Sequence, residues 1–153
     1  MTPEEKLVSL GLTLPTIATP MANYVPYRWA GNLLYLSGQG PRLPGGGMGI
    51  GKVGRDVSIE EAYEHAKLTG LSLLASAKAA IGELSRIEAV IKLLGMVNGE
   101  PDFGEHPKVI NGCSDLFVDV LGDAGRHARS AVGMGSLPGG ITVEIEAILL
   151  IKP

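Results

Sequence analysis

Read in steps of two, Ile141, Val143, Ile145, Ala147, Leu149 and Ile151 form an unbroken apolar row on one face of a strand. The alternate positions run Thr142, Glu144 and Glu146 before turning apolar at Ile148 and Leu150. Such a strand covers a core with one face and offers carboxylates at one end of the other. Ala128 to Met134 reads as a shorter strand before it, and Gly135-Ser136-Leu137-Pro138-Gly139-Gly140 supplies a reversal. Paired as a simple hairpin about that turn, Arg129 lies opposite Glu146, with Glu144 one step along the same face.

The rest of the chain alternates strand and helix patterns. Thr2-Pro3-Glu4-Glu5 combines a Thr cap, a Pro in the first turn and a Glu three residues after the cap, which predicts a helix to about Leu10 that stops at Gly11. Thr13 to Met21, with two prolines, is expected as extended loop. Val25 to Ala30 and Leu33 to Ser37 predict a hairpin around Gly31-Asn32. Ser58-Ile59-Glu60-Glu61 is a second capping signal, opening a long helix to about Ala80. Its stripe of Ala62, Ala66, Gly70, Leu73, Ala77 and Ile81 is small enough for close packing on a sheet. Ile87 to Val97 is nearly continuous in apolar residues, the pattern of a central or interface-facing strand. His106-Pro107 opens a second main helix to about Leu121, with Gly122 as its stop and Val109, Cys113, Leu116 and Val120 as its buried stripe.

Composition narrows the class. At 153 residues and 45% hydrophobic content, one globular domain with a real core is expected. A net charge of −3 with scattered basic residues argues against nucleic-acid binding, which needs a concentrated basic surface. The single cysteine, Cys113, makes no internal disulfide and reads as a small core residue in a reducing compartment. The acidic N-terminus lacks the basic-then-apolar pattern of a signal sequence, and no apolar run approaches the roughly 20 residues of a membrane span. A soluble cytoplasmic protein without membrane contact is the expectation. Seven aromatic residues (one Trp, four Tyr, two Phe) make an economical core that would gain from oligomerisation.

Several motifs carry no chemistry. Gly49-Ile50-Gly51-Lys52-Val53-Gly54 matches a dinucleotide fingerprint, and Gly46 to Lys52 matches a phosphate loop up to its last position. Val53 stands where the Mg²⁺-binding hydroxyl belongs, and the glycines do not run from a buried strand into a helix, so Arg42 to Gly54 reads as a flexible hairpin tip. His65, His106 and His127 form no metal cluster, and His65, mid-helix, reads as surface or packing. No cofactor or metal is expected. For Arg129 with Glu144 and Glu146, two readings stand. One is a cross-strand ion pair worth about 0.2–1 kcal/mol; the other is a ligand site with Arg129 as a carboxylate fork and Glu144 handling water or a proton.

Ala128-Arg129-Ser130, Leu137-Pro138 and Val143-Glu144-Ile145-Glu146-Ala147 resemble the C-terminal signature of the RidA/YjgF family of reactive-intermediate deaminases, also labelled L-PSP endoribonuclease. Tyr24-Val25 and the run Gly31 to Gln39 resemble a second family block. The resemblance spans Tyr24 to the end, giving a single domain over residues 1–153 with an N-terminal helical extension (1–20) and a core (21–153). It implies an α+β, chorismate-mutase-like sandwich: a mostly antiparallel sheet, two main helices on one face, and a homotrimer around a central barrel with clefts between subunits. It implies Arg129 for a substrate carboxylate, Glu144 for water, and Tyr24, Ser37 and Gly38 as cleft lining. The implied reaction is hydrolysis of a small 2-imino or enamino acid to a 2-oxo acid and ammonia. The alternative is a small-carboxylate binding or regulatory protein without turnover, and RNA cleavage ranks last. Two departures stand out. Pro101 occupies the position of a frequent site asparagine, with Asn98 three residues earlier, and Ala131 stands where some members carry a cysteine, which excludes thiol chemistry there.

Overall fold

In the computed structural model, residues 1–17 and 23–153 are described. Three helices, α1 (Pro3–Ser9), α2 (Ile59–Ile81) and α3 (His106–Leu121), accompany five strands: β1 (Tyr27–Ala30), β2 (Leu33–Gln39), β3 (Ile87–Asn98), β4 (Ala128–Met134) and β5 (Val143–Ile151). The local signals set these boundaries. Thr2 accepts from the Glu5 backbone N–H while Glu5 returns to the Thr2 N–H, and Ser58 caps α2 through the Glu61 N–H. Gly31 turns the first hairpin with φ 59°, and Gly122 ends α3 with φ 64°. The proposed loop from Thr13 is irregular through residue 17, and its remainder lies outside the described residues.

Strand pairing departs from the sequence reading at one place, with large consequences. The order is β1-β2-β5-β3-β4, so β5 lies between β2 and β3 and is antiparallel to both. Strand β4 does not form a hairpin with β5. It pairs in parallel with β3, Arg129 beside Leu93 and Ser130 beside Leu94. The physical reason is burial: Val143, Ile145, Ala147, Leu149 and Ile151 are all buried, and a strand so dry is best placed where both edges are hydrogen-bonded. The sheet remains mostly antiparallel, with one parallel pair.

Helices α2 and α3 cover one face. Their stripes meet Leu34, Leu36, Leu93, Val97 and the β5 row in a single core. Helix α3 lies against α2 at Gly70 and Gly112; a methyl group on Gly112 would overlap the Tyr63 carbonyl oxygen. Helix α1 docks at the far end through buried Leu7 and an ion pair of Glu4 with Lys78 at 2.6 Å. The other sheet face carries Leu33, Tyr35, Leu94, Met96, Ile148 and Leu150, exposed or half-buried, with no layer of this chain over it among the described residues. No helix among those residues is long and apolar enough to cross a membrane.

The loop ahead of α2 is more ordered than a flexible tip. Gly45 to Gly47 form an exposed turn, but Val53 is fully buried and bridges to Gly99 and Val57. Lys52 Nζ donates to the Gly135 carbonyl at 2.7 Å, tying the loop to the segment after β4.

The Gly112 contact is against backbone, which cannot step aside. Gly112→Ala should therefore cost about 2–4 kcal/mol, even after a gain of up to about 1 kcal/mol in helix propensity. Gly104→Ala, with open space around it, should stay within about 0.5 kcal/mol. Urea unfolding of both variants checks this; a Gly112→Ala midpoint equal to wild type would refute the close crossing.

Candidate functional site

One half of the site forms at the start of β5. Val143 and Ile145 point into the core, so Glu144 projects from the uncovered face, half-buried. Its neighbour across the strands is irregular: between Leu36 and Gln39, β2 spends one residue more than β5, a bulge that contains Ser37 and Gly38. A methyl at Gly38 would stand 2.6 Å from a Glu144 carboxylate oxygen, so only glycine leaves that carboxylate its place. The Ser37 hydroxyl donates to the Val25 carbonyl at 2.5 Å, tying the segment before β1 to the bulge; Tyr24, next in the chain to Val25, is exposed. Burial raises the Glu144 carboxyl above its ordinary value of 4.5, and the neighbouring Glu146 charge adds to the shift.

The other half forms on the covered face, where β4 meets α3. Arg129 shares the face of buried Leu93 and reaches α3, its Nη1 donating to Asn111 Oδ1 at 2.8 Å and to Ser114 Oγ at 3.0 Å. Ser114 Oγ lies 2.9 Å from His127 Nε2, and His127 Nδ1 lies 2.6 Å from the Gly125 carbonyl oxygen. Burial lowers the pKa of His127, and the Arg129 charge pushes the same way against the opposing Gly125 bond. Among the described residues no carboxylate pairs with Arg129. A half-buried guanidinium bonded only to neutral acceptors is a charge in want of an anion.

The five sequence-derived residues thus fall into two groups. Ser37, Gly38 and Glu144 come together, and Tyr24 lies one residue before Val25, whose carbonyl Ser37 holds; Arg129 does not join them. Strand β3 stands between β4 and β5, Glu146 lines up with Leu94 and Ser130, and both glutamates face away from Arg129. The cross-strand ion pair of Arg129 with Glu146 is therefore excluded within one chain.

Asn98 is not an open-site asparagine. It is 5% exposed, its Nδ2 donates to the Gly51 carbonyl at 3.3 Å, and its Oδ1 is buried without a partner among the described residues. His65 is a packing residue, its Nδ1 at 2.8 Å from Thr142 Oγ1. Cys113 is wholly buried, with its thiol pKa pushed far up by desolvation, in keeping with a core role. Sequence reasoning missed Asn111, Ser114 and His127. The available signal was the polar pair at i and i+3 bordering the apolar stripe of α3.

Known proteins share this whole architecture. Residues 4–140 match the family model described as "YjgF/chorismate_mutase-like, putative endoribonuclease". The chain is 41% identical to Protein TCP17 of Trypanosoma cruzi over 94% of its own length and 90% of that protein's. A crystal structure from Agrobacterium tumefaciens, of a protein with unknown function, is 50% identical with a TM-score of 0.92, covering 98% of this chain and 92% of that one. A "putative endoribonuclease" structure from Shewanella oneidensis is 37% identical with a TM-score of 0.95, covering 99% and 100%.

Two tests follow from the Glu144 corner. Gly38→Ala meets a flexible side chain, not backbone, so it should displace the carboxylate while costing no more than about 1–3 kcal/mol. Loss of any activity that Glu144→Gln also removes, in protein that still unfolds cooperatively, is the expected result. The second test concerns pH. The folded-state pKa of Glu144 lies above its unfolded value, so its contribution to stability is full below about 4.5 and is lost as pH rises through the folded value. Glu144→Gln should raise the thermal midpoint at pH 7 relative to wild type and leave it unchanged near pH 4. An equal shift at both pH values would contradict the buried charge.

Proposed function

Because this chain belongs to the RidA/YjgF family, we propose that it hydrolyses small 2-imino or enamino acids to 2-oxo acids and ammonia, in clefts between copies of the chain. The observation that carries this reading is the unneutralised Arg129, held in place by Asn111 and Ser114 and lacking a carboxylate partner. A 2-imino acid supplies that carboxylate next to the carbon that water must attack.

The reaction asks little of the protein. Arg129 binds the substrate carboxylate through parallel hydrogen bonds and so fixes the C=N carbon. Glu144 takes a proton from water as the oxygen adds to that carbon. Glu144 passes that proton to the nitrogen. As the C–N bond of the tetrahedral adduct breaks, its hydroxyl proton is transferred to the departing nitrogen, releasing ammonia and leaving the 2-oxo acid with Glu144 ionised again. A carboxylate whose pKa is raised by burial and by Glu146 is a better base for this step than a free one. Since Arg129 and Glu144 leave opposite faces of one sheet, the cleft takes them from different copies, with the Tyr24, Ser37 and Gly38 corner beside Glu144. The uncovered apolar face gives those copies a surface to share, and a homotrimer with the sheets turned inward is the arrangement that the family resemblance supplies. The net charge of −3 weighs against RNA as substrate.

A second reading has one specific observation in its favour. The Arg129 half is complete within one chain while the water-handling carboxylate is elsewhere, so the protein has what it needs to bind a 2-oxo acid without turning over an imine. Calorimetry showing 2-oxo acid binding by protein that never accelerates ammonia release would select it.

The direct test follows ammonia or 2-oxo acid release from a freshly generated 2-imino acid. Wild type should accelerate it. Arg129→Ala should lose about 100-fold or more in kcat/KM, the effect of about two charge-assisted hydrogen bonds. Arg129→Lys should recover little, because an ammonium cannot form the fork. Undiminished activity of Arg129→Ala would overturn the assignment.

A further inference from the structure

Arg129 is fixed at its far end by uncharged groups alone. Its Nη1 carries two hydrogens, and both are used, one on Asn111 Oδ1 and one on Ser114 Oγ. The direction of the next bond is dictated from the other end of the chain of contacts. The Gly125 carbonyl oxygen can only accept, so His127 Nδ1 carries the ring proton. In the neutral ring Nε2 is then a lone pair, and Ser114 donates to it. With its hydrogen committed to His127, the Ser114 oxygen turns its remaining lone pairs to the guanidinium. Burial beside a cation keeps His127 in the neutral form that this order requires.

We infer that Asn111, Ser114 and His127 are positioning residues that orient Arg129 without neutralising it, so that its Nε and Nη2 edge is presented to a carboxylate ligand. Those two nitrogens have no partner among the described residues, and their N–H bonds run parallel on the side-on edge of the guanidinium. An aspartate at position 111 would hold the arginine at least as firmly, but it would consume the charge. A neutral amide and a hydroxyl relayed to a neutral imidazole hold the geometry and leave the charge for the ligand. The inference rests on the reading of Arg129 as a carboxylate anchor and adds to it which edge is used and what keeps that edge available.

The test is calorimetric titration of 2-oxobutyrate into wild type, Asn111→Asp, Ser114→Ala and Ser114→Thr, with thermal midpoints measured beside it. Asn111→Asp should weaken binding about tenfold or more, equivalent to about 1.4 kcal/mol, while its thermal midpoint is unchanged or higher. Ser114→Ala should weaken binding several-fold, and Ser114→Thr, which restores the hydroxyl, should recover most of it. A merely structural role would lower the midpoint of Asn111→Asp and leave the affinity of its folded fraction alone. Wild-type affinity in Asn111→Asp would overturn the inference and leave the anchor reading standing. Absence of 2-oxobutyrate binding in wild type itself would overturn both. Nitrogen NMR of the imidazole gives an independent readout: a proton on Nδ1 of His127 supports the bond order, and a proton on Nε2 alone overturns it.

Discussion

Strand β5 is hydrogen-bonded on both edges, to β2 and to β3, and most of the molecule follows from that. Its buried row, from Val143 to Ile151, joins the core that α2 and α3 complete. Because the row alternates with period two, Glu144 and Glu146 must leave from the opposite, uncovered face. Because β5 takes one edge of β3, β4 is left with the other one. The parallel pairing of β3 with β4 then requires a crossover, which α3 provides.

That crossover builds the arginine half of the candidate site. Asn111 and Ser114 are one turn apart on α3, and both reach the guanidinium that β4 places beneath them. Close seating of α3 on α2 at Gly70 and Gly112 sets the position of the helix, so a backbone contact away from the guanidinium bears on where Arg129 points. Across the sheet, the bulge at Ser37 and Gly38 does the corresponding work for Glu144, opening space that a regular strand with any larger residue would close.

The sequence makes some of this legible and hides the rest for a physical reason. Caps and stops are local chemistry, so Thr2, Ser58 and Gly122 mark helix ends within a residue or two. Alternation reports which face a residue occupies, so the dry face of β5 and the outward Glu144 are readable. Periodicity does not report which strand lies alongside. The Gly135 to Gly140 segment looks like a hairpin turn, yet it is used to strap the loop before α2: Gly51 N–H donates to the Gly140 carbonyl at 2.9 Å, and Ile50 bridges to Ile141. Arg129 and Glu144 were identifiable from a motif, whereas Asn111, Ser114 and His127 sit at polar positions that look like an ordinary solvated helix face and loop. Only the crossover turns them toward the arginine.

The two halves carry opposite electrostatic deficits. Glu144 is a carboxylate made costly by burial and by Glu146, with no cation bonded to it among the described residues. Arg129 is a cation given neutral partners where one acidic side chain would have satisfied it. The simplest relief, a bridge between them, is blocked by β3 and by the sheet itself. A fold selected for stability alone has no reason to keep both groups unsatisfied, since replacing either with a neutral residue removes a desolvation cost. A carboxylate ligand that also needs a base at its neighbouring carbon satisfies both at once, provided that two copies bring opposite faces to one cleft.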